Sequence, residues 1–88
     1  MMVIYKYVLK ATDTQVIPIP CPNRILSVAE QHGSIVVYVN VDIASTKMKD
    51  YTFQIRGTGH NADDLDGYKF LGTVKLHGGD LMFHVFYL

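Results

Sequence analysis

Two glycine-rich segments carry the groups most able to do chemistry in this chain: Arg56-Gly57-Thr58-Gly59-His60 and Leu76-His77-Gly78-Gly79-Asp80. Each sets an imidazole beside backbone that is free to turn sharply or to admit a close neighbour. Alternating glycines let successive backbone N–H groups converge into an anion-binding nest. Arg56 and His60 flank such a nest, and Lys69 and His77 are close enough in sequence to add positive charge. The chemistry this predicts is recognition of a phosphate or carboxylate, with Arg56, Gly57, Gly59, His60, Lys69 and His77 as the ligand-binding set. The competing reading is structural: glycines that need positive φ, and histidines that hydrogen-bond their own loops.

Other chemistries find less support. Gly57-Thr58-Gly59 lacks the length and the terminal Lys-Ser/Thr of a P-loop, and lacks the third glycine of a dinucleotide fingerprint. The histidines at 32, 60, 77 and 84 form no i, i+2 or i, i+4 pair, and Cys21 is remote from them, so no metal site is expected. Asp63-Asp64-Leu65-Asp66-Gly67 fails as a calcium loop, because aligning its glycine puts Ala62 and Thr73 at ligand positions. None of Ser27, Ser34 and Ser45 lies in a Gly-x-Ser-x-Gly elbow. The single glutamate, Glu30, has no evident carboxylate partner. No catalytic residue and no cofactor is therefore assigned, and the chain reads as a non-enzyme. His84, between Met82 and Phe86 on one strand face, reads as a satisfied half-buried histidine.

The elements that position these groups follow from alternation with period two. Val3, Tyr5, Tyr7 and Leu9 alternate with Ile4, Lys6, Val8 and Lys10. Pro18, Pro20 and Pro22 cannot donate to a ladder, so that run is an edge strand or an extended loop. Residues 24–31 place Leu26 and Val28 on one face, and His32-Gly33 predicts a hairpin turn. In 34–42, Ile35, Val37, Val39 and Val41 face one way, opposite Val36 and Tyr38. Tyr51-Thr52-Phe53-Gln54-Ile55-Arg56 alternates cleanly. Asn61 is placed to cap one helical turn near 61–66. Tyr68, Phe70, Gly72, Val74 and Leu76 share a face, with Gly72 predicting a bulge or close approach. Gly78-Gly79 predicts a tight hairpin before the last strand, 81–87. The fold class is all-β: a compact antiparallel β-sandwich or small barrel of six to seven short strands in a single domain, residues 1–88.

Eighty-eight residues make a thin core, helped by 49% hydrophobic residues, six Tyr and four Phe. Eight Lys or Arg balance eight Asp or Glu, which argues against general duplex DNA binding. Tyrosines near basic residues suit nucleobase stacking or a protein interface. Apolar groups on both faces of 34–42 make Val36 and Tyr38 the interface candidates, and predict a homo-oligomer. One cysteine excludes an internal disulfide. The start has no signal-peptide pattern and no segment reaches membrane-span length, so no membrane association is expected.

The segments Ile4-Tyr5-Lys6-Tyr7, Ile25-Leu26-Ser27-Val28, Gly57-Thr58-Gly59-His60, Tyr68-Lys69-Phe70-Leu71-Gly72-Thr73, Leu76-His77-Gly78-Gly79 and Phe83-His84-Val85-Phe86 resemble a family of short tailed-phage and prophage proteins of uncharacterised function. The resemblance spans essentially the whole chain. It implies a phage accessory protein in the host bacterial cytoplasm, with no catalytic residue to carry over. By analogy of setting, three roles follow. The first is sequestration of a small anionic, nucleotide-type defence signal. The second is inhibition of a host defence protein such as a CRISPR nuclease. The third is a virion-associated structural or regulatory role.

Overall fold

The computed structural model describes residues 1–88 and contains seven antiparallel strands in two facing sheets. The strands are β1 (Met2–Leu9), β2 (Thr14–Pro20), β3 (Asn23–Gln31), β4 (Ser34–Asp42), β5 (Met48–Gly57), β6 (Lys69–Leu76) and β7 (Leu81–Tyr87). One sheet has the order β1-β4-β3 and the other β2-β5-β7-β6. The architecture is thus the sandwich rather than the barrel.

Alternation explains the core. Ile35, Val37, Val39 and Val41 of β4 face Phe53 and Ile55 of β5, Val85 of β7, and Val74 and Leu76 of β6 across one buried cluster. Their β-branched and aromatic side chains suit a pleated, buried surface. Pro18 and Pro20 lie in β2, an edge strand paired only with β5, where a missing N–H is tolerated. His32 and Gly33 both have positive φ (52° and 82°) between the paired Gln31 and Ser34, which makes a two-residue hairpin of the type I′ kind.

Two bulges reset the alternation. In β3 the register shifts between Ile25 and Ser27. Leu26 becomes the extra residue and is exposed, while Ile25 and Val28 pack on the core. Leu26 and Val28 therefore do not share a face, because one unpaired residue inverts the parity beyond it. In β6 the shift falls between Phe70 and Gly72. Leu71 turns inward, and Phe70 points out to meet Phe86 at 5.3 Å between ring centroids. At Gly72 the two sheets approach closely: a Cβ there would stand 2.8 Å from Cγ1 of Val28 on β3.

Three further expectations are corrected. No helical turn forms at 61–66. Asn61 Oδ1 accepts the Asp63 N–H (2.9 Å), but the chain continues as non-helical turns. Gly78-Gly79 is not a two-residue hairpin. Leu76 pairs with Leu81, leaving a four-residue loop, 77–80, in which His77, Gly78 and Gly79 all have positive φ. Val36 does face away from the core but is only 1% exposed. Lys6, in the row of Tyr38, hydrogen-bonds Gln31, in the row of Ser34, and this diagonal crosses the row of Val36. Val36 thus offers no surface to a partner, whereas Tyr38 on the same face is half-buried.

Strands β5 and β6 run parallel with β7 between them, so residues 58–68 must cross over the outer face of β7. That crossover determines where the candidate site residues lie.

Candidate functional site

A cleft of about 310 Å³ opens at one end of the sandwich. Its apolar walls are Leu9, Ile35, Ile55, Leu76 and Phe83 at the outer end of the core, with the exposed Leu81 beside them. Its rim comes from four connections: Lys10 to Asp13, Gly33 with Ser34, Gly57 with His60, and His77. The two glycine-rich segments therefore meet, as their chemistry would require. Gly57, His60 and His77 line a single cavity with a largely apolar floor.

Gly57 and Gly59 serve different needs. Gly57 to His60 forms a turn closed by the His60 N–H donating to Gly57 O (3.0 Å). Gly59 takes φ 89° at the third residue, as a type II turn demands, and points to open solvent rather than the cleft. Gly57 is needed for space instead. The His60 ring lies against it, and a Cβ would sit 2.9 Å from His60 Cε1. The missing side chain thus seats the imidazole on the cleft wall. His77 is held at φ 52°, a conformation uncommon outside glycine, asparagine and aspartate, although histidine tolerates it better than most.

Arg56 is not available to a ligand. It is 8% exposed on the outer face of β5, under the crossover. Its guanidinium has five N–H groups, and the chain supplies an acceptor for each. Nε donates to Asn61 O (3.1 Å), Nη1 to Asp13 O and Ile55 O (both 3.0 Å), and Nη2 to both carboxylate oxygens of Asp64 (3.0 Å each). Arg56 fastens residues 58–68 to the sheet. Gln54 helps, accepting from Thr14 Oγ1 (2.6 Å) and donating to the Tyr68 hydroxyl (3.2 Å).

His84 completes the fastening. It lies on β7 beneath the crossover, with Nε2 2.8 Å from Thr58 Oγ1 and Nδ1 2.9 Å from Thr73 Oγ1. Both ring nitrogens are used, in line with a satisfied histidine. His60 makes no bond to the aspartates at 63, 64 or 66, so no carboxylate orients its imidazole. Neither Thr12 nor Ser34, the hydroxyls at the cleft, bonds to His60 or His77.

Lys69 lies elsewhere. It begins β6, whereas the cleft is at the Leu76 end, roughly 23 Å away along the strand. Its Nζ stands 6.0 Å from the Tyr87 ring centroid, beside Arg24 and Lys49 in a second depression. Of the six expected ligand residues, the structure joins three at one cleft. It places Arg56 beneath a loop, Gly59 in solvent and Lys69 at the opposite end. The role of Arg56 left no trace in local sequence, because three of its acceptors are backbone carbonyls.

Residues 1–88 match the family described as Domain of unknown function (DUF7352). The chain belongs to that family. The match covers residues 1–88, so the cleft and the crossover both lie within it. No curated protein and no solved structure matches the chain.

Proposed function

We propose that this DUF7352 protein is a non-enzymatic binding module of tailed phages, which holds a small nucleotide-type ligand and sequesters it from a host defence system. The observation that carries the reading is the meeting of His60 and His77, from separate glycine loops, over one apolar-floored cleft. A largely apolar pocket with a few convergent polar groups is the usual form of a small-molecule site. Phe83, Leu81 and Leu76 suit a flat base, and the imidazoles can donate to one anionic group. Lys10 and Asp13 on the rim offset each other, so the cleft suits a singly charged ligand, such as a cyclic mononucleotide, rather than a polyphosphate. A nucleophile needs a base within hydrogen-bond reach, and none is paired in the cleft, which favours holding over turnover.

Native mass spectrometry of protein purified from a bacterial host, with and without added nucleotide extract, tests this. A retained small anionic mass that is lost in His60→Ala and His77→Ala supports it. A clean apo species in every condition contradicts it.

A second reading has its own observation. Strand β1 is an unpaired edge that exposes Met2, Ile4, Tyr5 and Val8. Such an edge can add a strand from another protein. In this reading the protein docks through β1 on a host defence effector, or on a second copy of itself to give a homo-oligomer. Capture of a host protein that depends on Ile4 and Val8, with no small molecule retained, favours it over sequestration.

A further inference from the structure

At the end of the sandwich opposite the cleft, a groove of about 470 Å³ gathers Arg24 from β3, Lys49 from β5 and Lys69 from β6. No acidic side chain lines it, and the one carboxylate at its wall is the terminal one of Leu88, which is in ion-pair contact with none of the three cations. Asp50, between Lys49 and Tyr51, falls on the other face of β5. The chain's two ion pairs, Met1 with Asp42 and Arg56 with Asp64, leave all three cations without a carboxylate partner. This is local segregation, since eight positive and eight negative side chains cancel over the whole chain.

Two of the cations stand beside aromatic rings. Lys49 Nζ stands 4.8 Å from the centroid of the Tyr51 ring, and Lys69 Nζ stands 6.0 Å from that of Tyr87. The two rings are 6.3 Å apart and pack on the core, with the Tyr51 hydroxyl fixed by Asn23 Oδ1 at 2.8 Å. Two adjacent tyrosines thus each have an ammonium group nearby, and like charges gathered in one groove repel one another. Cation–π contact at an exposed site offsets only a little of that repulsion. A ligand carrying adjacent negative charges would neutralise it.

We propose that this groove binds a ligand with two or more linked phosphates, as found in inorganic pyrophosphate or a nucleoside diphosphate. The site is independent of the glycine-loop cleft. Lys49 and Lys69 take the phosphate oxygens, Arg24 adds positive charge from the outer face of β3 at the rim, and the tyrosine edges border whatever the phosphates carry.

Isothermal titration calorimetry on the full chain at low salt tests this, with inorganic pyrophosphate, ADP and adenosine as probes. Pyrophosphate and ADP bind, adenosine does not, and added salt weakens both. Equal affinities assign the site to phosphates alone, and tighter ADP binding adds contact with the nucleoside. Lys49→Ala and Lys69→Ala each weaken binding on the order of tenfold. Both residues are exposed, so the fold survives, while Lys75→Ala leaves binding unchanged. Failure of both phosphate probes to bind at low salt overturns the proposal. So does binding that persists unchanged in the Lys49→Ala/Lys69→Ala double variant.

Discussion

Arg56 and Asp64 meet through two 3.0 Å hydrogen bonds from one guanidinium nitrogen, joining the outer face of β5 to the loop that crosses β7. The pair is asymmetric: the arginine side chain is 10% exposed and the aspartate 64%. Losing the two partners therefore has different consequences. Arg56→Ala removes five hydrogen bonds, three of them to backbone carbonyls, and releases the crossover, and costs on the order of 3 kcal/mol. Asp64→Ala removes only a solvent-screened contact and costs about 0.5–1 kcal/mol. Urea denaturation of the two variants checks the ratio. Equal losses would mean that the ion pair, not the backbone contacts, secures the loop.

Gly72→Ala tests the close approach of the sheets at this position. Its methyl would begin 2.8 Å from Val28 Cγ1, an atom on a stiff β-branched side chain in the adjacent sheet. The seam between β3 and β6 must open, at about 1–3 kcal/mol. Val28→Ala in the same background should recover part of that loss, and thermal unfolding of the single and double variants reads the coupling.

His77 separates stability from binding. Its φ of 52° suits glycine, so His77→Gly should leave stability unchanged or slightly raised. His77→Ala keeps a Cβ in the same conformation and gains no such relief. Both variants remove the imidazole from the cleft and should weaken nucleotide binding alike. Thermal unfolding combined with ligand titration distinguishes this from a purely structural His77, for which binding would be unaffected.

Acid stability should depend in part on Asp42. The Ala44 N–H donates to its carboxylate (3.1 Å), and the N-terminal ammonium lies 3.2 Å away, so its pKa is held below the usual carboxylate value. A depressed folded-state value favours the folded state above the unfolded value, about pH 4. That contribution is lost as pH falls through the lower folded value. Asp42→Asn should flatten the stability profile in this acidic window and nowhere else, as measured by urea denaturation across pH.

Much of the fold was legible because alternation maps directly onto two sheet faces. Ile35, Val37, Val39 and Val41 announce β4, and the prolines at 18 and 20 announce an edge. Parity failed where a bulge intervened. Gly72 signalled the one in β6, but nothing local marks Leu26, which follows the equally apolar Ile25. The site was legible only in part. Gly57, His60 and His77 meet because their loops cap the same end of the sandwich. Arg56 was misplaced because alternation fixes its strand face but not what covers it. The groove of Arg24, Lys49 and Lys69 was invisible because its cations come from three strands in two sheets.

The most direct test of the central claim is an NMR titration of isotope-labelled full-length protein with a cyclic mononucleotide, following every backbone amide. The account predicts shifts confined to the cleft end, at Gly57, His60, His77 and Gly78, with Lys69 and Tyr87 unmoved and the response lost in His60→Ala. An unperturbed spectrum, or shifts confined to the β1 edge or the Lys69 end, would contradict it.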